Sequence, residues 1–236
     1  MNDAPVDQSK QPGLVSSSTA DRERLRTLGS RVCAHWLLKL VGISGFIAIF
    51  FAAYFWTLRS PLFPVTTVPT TLLDRLVPFY AGALPLYLSL WVYVSLPPSL
   101  LEDRWALFAY GIAAGGLAVV GLGIFTFWPT AIVPPVINWS EYPAFSLLRS
   151  IDAAGNACPS LHVAFSVFSA IWLDRLLRRT SRRATIRILN VCWCIGIMYS
   201  TLATKQHVAL DLFGGTVLGA VGAAWNPQGK VLARVA

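Results

Sequence analysis

The stretch Ser200-Thr-Leu-Ala-Thr-Lys-Gln-His207-Val-Ala-Leu-Asp211 lies between two strongly apolar runs of the chain. It places a lysine, a histidine and an aspartate at the boundary of those runs. Insertion of a charged side chain into the centre of a bilayer costs about 2.5–3.5 kcal/mol, so charged groups within membrane segments usually have a function. This stretch therefore marks both a break between two helices and a candidate functional site.

His207 and Asp211 are four positions apart. A helix that begins near His207 would put both side chains on one face, one turn apart. The carboxylate could then accept a hydrogen bond from one imidazole nitrogen and leave the other nitrogen free as a nucleophile or a metal ligand. The alternative interpretation is a polar helix cap with an incidental histidine.

The composition of the whole chain is typical of a helical membrane protein. Of its 236 residues, 55% are hydrophobic and 13% are charged, and the mean hydropathy is +0.58. The net charge is +8, but the basic residues flank apolar runs and do not form a basic helix interleaved with aromatic residues, so no nucleic-acid partner is expected. The four cysteines are too few for a disulfide framework. Cys192-x-Cys194 lies in an apolar run without further nearby ligands, so no metal is expected there.

Six apolar runs predict an all-α, polytopic membrane protein with a bundle of six transmembrane helices. The runs are residues 36–58, 79–96, 105–128, 159–176, 188–203 and 207–225. We expect Pro85 to kink the second helix and Pro97-Pro98 to end it. A catalytic membrane domain, 35–226, would then lie between a mobile cytoplasmic N-terminal tail, 1–34, and a cytoplasmic C-terminal tail, 227–236.

Six membrane helices place both termini on the same side of the membrane. That side receives Arg104, six arginines between positions 175 and 187, and the basic tails, whereas the other side receives Arg59, Arg75, Arg149 and Lys205. The positive-inside rule makes the first side cytoplasmic. Loops 59–77, 129–158 and 201–206 are therefore expected at the outer face, and we expect a bacterial inner-membrane protein.

A second polar cluster, Asn156-Ala-Cys158-Pro159-Ser160-Leu-His162, opens the fourth predicted helix at the same outer face. His162 and His207 are 45 positions apart, yet they fall at matching depth. Two histidines at one depth together with Asp211 favour a functional site over two separate packing histidines. His35 lies beside the cytoplasmic basic residues and is expected to be only interfacial.

Pro159-Ser160-Leu161-His162, followed by Ser200 and then His207-Val-Ala-Leu-Asp211, resembles two signature motifs of the type 2 phosphatidic acid phosphatase superfamily. In that superfamily the second and third motifs typically read Pro-Ser-Gly-His and Ser-Arg-x5-His-x3-Asp. The resemblance covers the last third of the chain by motif and the six-helix layout by architecture.

The resemblance implies a phosphohistidine mechanism at the outer membrane face. His207 would attack phosphorus while Asp211 holds its other nitrogen, and His162 would protonate the leaving alcohol and then activate the incoming water or alcohol. Ser160, Leu161 and backbone N–H groups at the start of the fourth helix, which is expected to begin at Pro159, would bind phosphate oxygens. Donors and cations can stabilise the transferring group, so neither a metal nor a cofactor is expected.

The chain departs from the superfamily pattern at its basic positions. The first motif, Lys-x6-Arg-Pro, is missing, because residues 127–135 contain no Arg or Lys. Thr201 stands where the third motif has a phosphate-binding arginine, and Leu161 replaces the glycine of the second. Lys205, close to His207, is the expected replacement cation; Arg149 is a second candidate, although a solvated loop charge is its simpler interpretation.

Three variants resemble the inositol phosphorylceramide synthase branch, whose members transfer a phospho-headgroup between lipids. They are Ser160-Leu-His162, Gln206-His207 and Phe127-Trp-Pro-Thr130. The expected function is an integral-membrane phosphatase acting on a phosphorylated membrane lipid; a headgroup phosphotransferase is the first alternative. A transporter for a phosphorylated lipid carrier and a catalytically inactive relative are further alternatives. A membrane cytochrome with two axial histidines would leave Asp211, Ser160 and the lysine unexplained.

Overall fold

The computed structural model describes residues 29–151, 155–180 and 184–225. Most of the predicted N-terminal tail and all of the predicted C-terminal tail lie outside these residues. Because a bilayer offers no water to backbone groups, the long apolar runs form helices, which satisfy their own N–H and C=O groups. The helices are α1 Trp36–Arg59, α2 Leu72–Leu76, α3 Leu84–Leu88, α4 Leu90–Leu100, α5 Arg104–Phe127, α6 Pro143–Ile151, α7 Leu161–Thr180, α8 Ala184–Ala203 and α9 Ala209–Ala224. Two short strands, β1 Thr66–Val68 and β2 Thr130–Ile132, and two 3₁₀ turns, Ala81–Ala83 and Trp139–Glu141, accompany these helices, and residues 29–33 are also helical.

Four helical segments of the described chain are long and apolar enough to cross a membrane. They are Trp36–Arg59, Ala81–Leu100, Arg104–Phe127 and Ala184–Ala203. Helix α9 is apolar but has 16 residues, or about 24 Å, against a hydrocarbon core of about 30 Å. Helix α7 has 20 residues, but its second half carries one aspartate and three arginines. The protein is therefore a mainly helical membrane protein with four candidate spans, and six transmembrane helices remain a prediction.

Helix α7 is the centre of the bundle, because it packs against α4, α5, α8 and α9. The tightest contact is with α9, where Gly215 and Gly219 lie against the α7 backbone. A Cβ on Gly215 would lie 2.4 Å from the carbonyl oxygen of Ser160, and one on Gly219 would lie 2.3 Å from that of Ala164. Only glycine permits this approach. It brings the beginnings of α7 and α9, and with them the two histidine motifs, to the same end of the bundle.

The second predicted helix differs from expectation at its prolines. Pro85 lies in the first turn of α3 and the helix is interrupted at Ser89 instead. The prediction that Pro97-Pro98 ends the helix is wrong, because α4 continues through both to Leu100. Each proline removes one N–H donor from the helix. The carbonyl of Val94, which loses its donor at Pro98, accepts a hydrogen bond from the Tyr110 hydroxyl at 3.2 Å, so a neighbouring helix satisfies it.

The all-α prediction misses a small sheet at the end of the bundle that holds the histidines. β1 and β2 pair in parallel, with Thr66 opposite Thr130 and Val68 opposite Ile132. Their β-branched side chains favour extended backbone. The Thr130 carbonyl accepts from the amide of Ala157 at 3.2 Å, and its hydroxyl accepts from the amide of Cys158 at 2.8 Å. The sheet thereby fixes the segment that leads into α7.

The predicted topology can be tested by labelling. In a variant that lacks the native cysteines, Ser140→Cys and Ala184→Cys should react with a membrane-impermeant maleimide from opposite sides of the membrane, because the two exposed residues lie at opposite ends of the bundle. Labelling of intact cells and of inverted vesicles measures this. Reaction of both cysteines from one side would contradict the predicted topology and the outer location of the site.

Candidate active site

Ser160 caps the N-terminus of α7 and ties it to α9. Its side-chain oxygen accepts a hydrogen bond from the amide of Val163 at 3.3 Å. Its own amide donates to the carbonyl of Asp211 at 3.0 Å. Ser160 and Asp211 are both fully buried. This pair of contacts fixes the distance between the two histidine motifs.

His162 is held by Tyr87, which the sequence analysis did not select. The Nε2 atom of His162 lies 3.1 Å from the carbonyl oxygen of Tyr87, and the two rings stack at 4.0 Å with an angle of 15° between their planes. A carbonyl only accepts, so Nε2 carries the proton and Nδ1 remains as the nitrogen that can exchange one. Tyr87 lies at the end of an apolar helix, where no sequence pattern distinguishes it from a packing residue.

The turn before His207 is a Schellman motif at the end of α8. The amide of Lys205 donates to the carbonyl of Leu202 at 3.1 Å, and the amide of Gln206 donates to that of Thr201 at 3.2 Å. Lys205 has the left-handed backbone conformation that this motif requires, with φ 57°. The amide of His207 also donates to the Thr201 carbonyl, at 3.3 Å. The reversal of the chain directs His207 back toward α7.

His207 and Asp211 are in contact, as predicted, but they do not share a helical face. Helix α9 begins at Ala209, and His207 precedes its N-cap residue, Val208. The Asp211 carboxylate reaches back to this end: its Oδ2 accepts from the amide of Val208 at 3.0 Å and lies 3.4 Å from Nδ1 of His207. A carboxylate only accepts, so Nδ1 carries the proton and Nε2 of His207 has the free lone pair.

The second carboxylate oxygen of Asp211 has an unusual environment. Oδ1 is buried and has no hydrogen-bond partner in the described ranges, which exclude 152–154 and 181–183. The carboxylate is therefore stabilised mainly by one backbone amide and by His207. The 3.4 Å contact between His207 and Asp211 is longer than an ordinary hydrogen bond. Positive charge on the imidazole would strengthen it, because hydrogen bonds between charged groups are shorter and stronger.

Asp211→Asn should lower kcat by one to two orders of magnitude. The amide can present its NH₂ group to Nδ1, which would favour the tautomer that has its proton on Nε2 and no lone pair there. Steady-state kinetics of both proteins in detergent measures the change. A control, Asp174→Asn, removes a carboxylate at the opposite end of α7. Equal kcat for Asp211→Asn and the unsubstituted protein would contradict the role assigned to Asp211.

Both histidines line one end of an apolar cavity of about 410 Å³, which lies between α1, α4, α5 and α7. Its apolar lining is mainly aliphatic and aromatic, and includes Ile43, Phe46, Phe50, Leu90, Val94 and Phe165. Along α1 the lining extends from Leu38 to Tyr54, which corresponds to about 24 Å of helix. The cavity is partly open. A polar group at the histidine end would thus continue into space suited to a hydrocarbon chain.

Asn156 also lines the histidine end of the cavity. It is buried, and its side-chain amide donates to the Tyr54 carbonyl at 3.2 Å and to the Thr57 hydroxyl at 3.0 Å. These bonds join α1 to the segment before α7. Asn156 has a positive φ of 49°, which asparagine tolerates better than most residues. No sequence pattern indicated a role for Asn156.

The other predicted phosphate-binding residues are not brought together. The Leu161 side chain fills the space above Gly121 and lines the cavity. Thr201 is fully buried, and its hydroxyl donates to the Met198 carbonyl at 2.7 Å. The Lys205 ammonium binds two backbone carbonyls and does not line the cavity. Arg149 belongs to α6, and its side chain lies outside the described part of the structure.

Cys158 lies close to Asp211 without being a competing nucleophile. Burial, together with the neighbouring Asp211 carboxylate, raises the pKa of the Cys158 thiol to about 11. The thiol is therefore protonated near neutral pH, and a protonated thiol is a poor nucleophile.

The fold and the site define a helical membrane protein with two histidines and a buried carboxylate at the end of an apolar cavity. The family model of the PAP2 superfamily matches residues 104–230, more than half of the chain, and the chain therefore belongs to the PAP2 superfamily. Searches of curated proteins and of solved structures gave no match. The membership agrees with the resemblance of the two histidine motifs and with a membrane enzyme of the phosphatase or phosphotransferase kind.

Proposed function

We propose that the protein cleaves a lipid phosphate ester through a phosphohistidine formed on His207. The observation that carries this proposal is the position of His162 and His207 at one end of a long apolar cavity. A phosphate joined to a hydrocarbon chain matches both parts of the cavity. The Asp211 contact leaves Nε2 of His207 free to react, which an inactive scaffold would not need.

In the first step, Nε2 of His207 attacks phosphorus and the bond from phosphorus to the lipid oxygen breaks. Protonated His162 gives its proton to that oxygen, so the lipid leaves as an alcohol. Asp211 accepts the hydrogen bond from Nδ1 and stabilises the positive charge that develops on the ring. In the second step, the oxygen of a water molecule attacks phosphorus while neutral His162 takes a proton from that water. The bond from phosphorus to Nε2 then breaks and releases phosphate.

The proposed phosphate position lies near the N-terminus of α7, where backbone N–H groups and the helix dipole favour an anion. Leu161 and His162 provide amides in this first turn, whereas the amide of Ser160 is already used by Asp211. We place this site on the outer face of a bacterial inner membrane, as the distribution of basic residues predicts.

A headgroup phosphotransferase is the second candidate, and the charge of the cavity favours it. The one Lys or Arg that lines the described cavity is Lys39, near the beginning of α1 and far from Tyr54 and Asn156 at the histidine end. A phosphomonoester carries up to two negative charges and a phosphodiester carries one. A site with so little positive charge fits a phosphodiester better, and the second step would then use a lipid hydroxyl in place of water.

Incubation of the purified protein with lipid phosphomonoesters and phosphodiesters, with and without a lipid alcohol, tests both candidates. Release of inorganic phosphate supports hydrolysis, and a new phospholipid on thin-layer plates supports transfer. His207→Ala is the control for a contaminating enzyme. If folded protein forms neither product from substrates of several chain lengths, this result would contradict the proposed function and favour a transporter.

A further inference from the structure

Asp74, in the outer segment between α1 and α3, binds the beginning of α9 across 135 positions of sequence. Its Oδ1 accepts a hydrogen bond from the amide of Ala209 at 2.8 Å. Ala209 is the first residue of α9, and its N–H has no partner within the helix. A carboxylate at a helix N-terminus is also favoured by the helix dipole. Asp74 therefore caps α9 from a distant segment.

The same segment binds Lys205 on the other side of His207. The Lys205 ammonium donates to the carbonyl of Asp74 at 2.9 Å and to that of Val77 at 2.5 Å. Lys205 and Ala209 lie two positions before and two positions after His207. The nucleophile is therefore flanked by two contacts to one short piece of chain.

The Asp74 side chain is itself fixed. Its Oδ2 accepts from the amide of Thr71 at 2.6 Å and from the Thr71 hydroxyl at 2.8 Å, which closes the first turn of α2. The left-handed conformation of Lys205 is unfavourable for a residue with a side chain, and its two hydrogen bonds offset this cost. These residues of α2 lie outside the region matched by the family model, 104–230.

We propose that Asp74 and Lys205 form a clamp that positions His207 for attack on phosphorus, so that both are positioning residues. The inference rests on the proposed function, and it changes the role predicted for Lys205 from a phosphate ligand to an anchor of the turn. Because the clamp acts on the geometry of the nucleophile and not on the apolar cavity, its loss should affect kcat much more than KM.

Asp74→Ala should lower kcat ten- to hundredfold and change KM less than about twofold. Asp74→Asn should recover part of the loss, because its amide oxygen can still accept from Ala209. Glu141→Gln is the matched control, since Glu141 is an exposed carboxylate of the same end of the bundle that binds Asn138. Wild-type kcat in Asp74→Ala, or equal losses in Asp74→Ala and Asp74→Asn, would overturn the proposed clamp.

Lys205→Met should lower kcat at least tenfold, and Lys205→Arg should retain part of the activity. Lys205→Gly separates the effect of losing the ammonium from the effect of disturbing the turn, because glycine adopts the left-handed conformation without cost but has no ammonium. We expect it to be as slow as Lys205→Met; wild-type turnover would show that the ammonium is not needed. Arg75→Met, in the same segment, and Arg149→Met should change kcat much less.

Hydrogen exchange of the peptide that contains residues 205–211 provides a readout without substrate. Asp74→Ala should increase exchange of this peptide, whereas Glu141→Gln should not. If the unsubstituted protein turned over no lipid phosphate, the proposed function would fail, while faster exchange would still support the clamp. If exchange did not change in Asp74→Ala, the clamp would be wrong whatever the activity.

Discussion

His207→Ala should reduce turnover of the lipid phosphate to the uncatalysed background. The proposed reaction forms its covalent intermediate on Nε2 of His207, and the neighbouring Cys158 thiol is protonated and cannot replace it. Phosphate release or phospholipid formation, measured over long incubations, gives the remaining rate. This is the largest effect that we expect from any single substitution in the chain.

The control for this prediction is His35→Ala, at the other end of α1 and outside the cavity, which should keep normal turnover. The intermediate can be sought directly by rapid acid-free quenching and mass spectrometry of the peptide that contains His207. The unsubstituted protein should show the added phosphoryl group and His207→Ala should not. Retention of more than a few per cent of activity by His207→Ala would rule out the phosphohistidine mechanism.

His162→Ala should slow turnover of an alkyl phosphate ester by about 10²–10⁴, the usual contribution of a positioned general acid. The loss should be much smaller in the first step for an aryl ester, because a phenolate leaves without protonation. The second step still needs a base to activate water. The phosphohistidine on His207 should therefore accumulate when His162→Ala is given the aryl ester.

Single-turnover measurements with matched alkyl and aryl phosphates separate the two steps. His162→Gln serves as a second variant, since it fills more of the space against the Tyr87 ring than alanine does. Equal slowing of the first step for both esters would contradict the role of His162 as an acid. Normal turnover of the alkyl ester would remove His162 from the mechanism altogether.

The sequence was sufficient to predict the long helices α1, α5 and α8 and the contact between His207 and Asp211. Long apolar runs have one stable solution in a bilayer, so the bounds of α1, α5 and α8 fall close to those expected. The contact between His207 and Asp211 was predicted from a shared helical face, but it forms because the Asp211 side chain reaches back past the N-cap residue, Val208. The spacing of Gly215 and Gly219 is typical of close helix packing, but only the structure shows that α7 is the helix they contact.

The roles of Lys205 and Asp74 could not be derived from sequence. Proximity of Lys205 to His207 in the chain suggested a phosphate ligand, but the left-handed turn directs its ammonium to the carbonyls of Asp74 and Val77. Thr71-x-x-Asp74 has the spacing of a helix-capping pattern, which indicates a local bond to Thr71 and nothing about Ala209. Only the folded loops bring that amide to the carboxylate.

The sequence by itself determined the membrane class and the long helices α1, α5 and α8, and it suggested the three residues of the proposed reaction, because each of these depends on local spacing or on the length of an apolar run. The tertiary structure decided the pairing of β1 with β2, the cavity that ends at both histidines and the clamp on His207. These features join segments up to 135 positions apart. Their geometry depends on how the loops outside the helices pack together, and the spacing of residues within one segment does not predict contacts between distant segments.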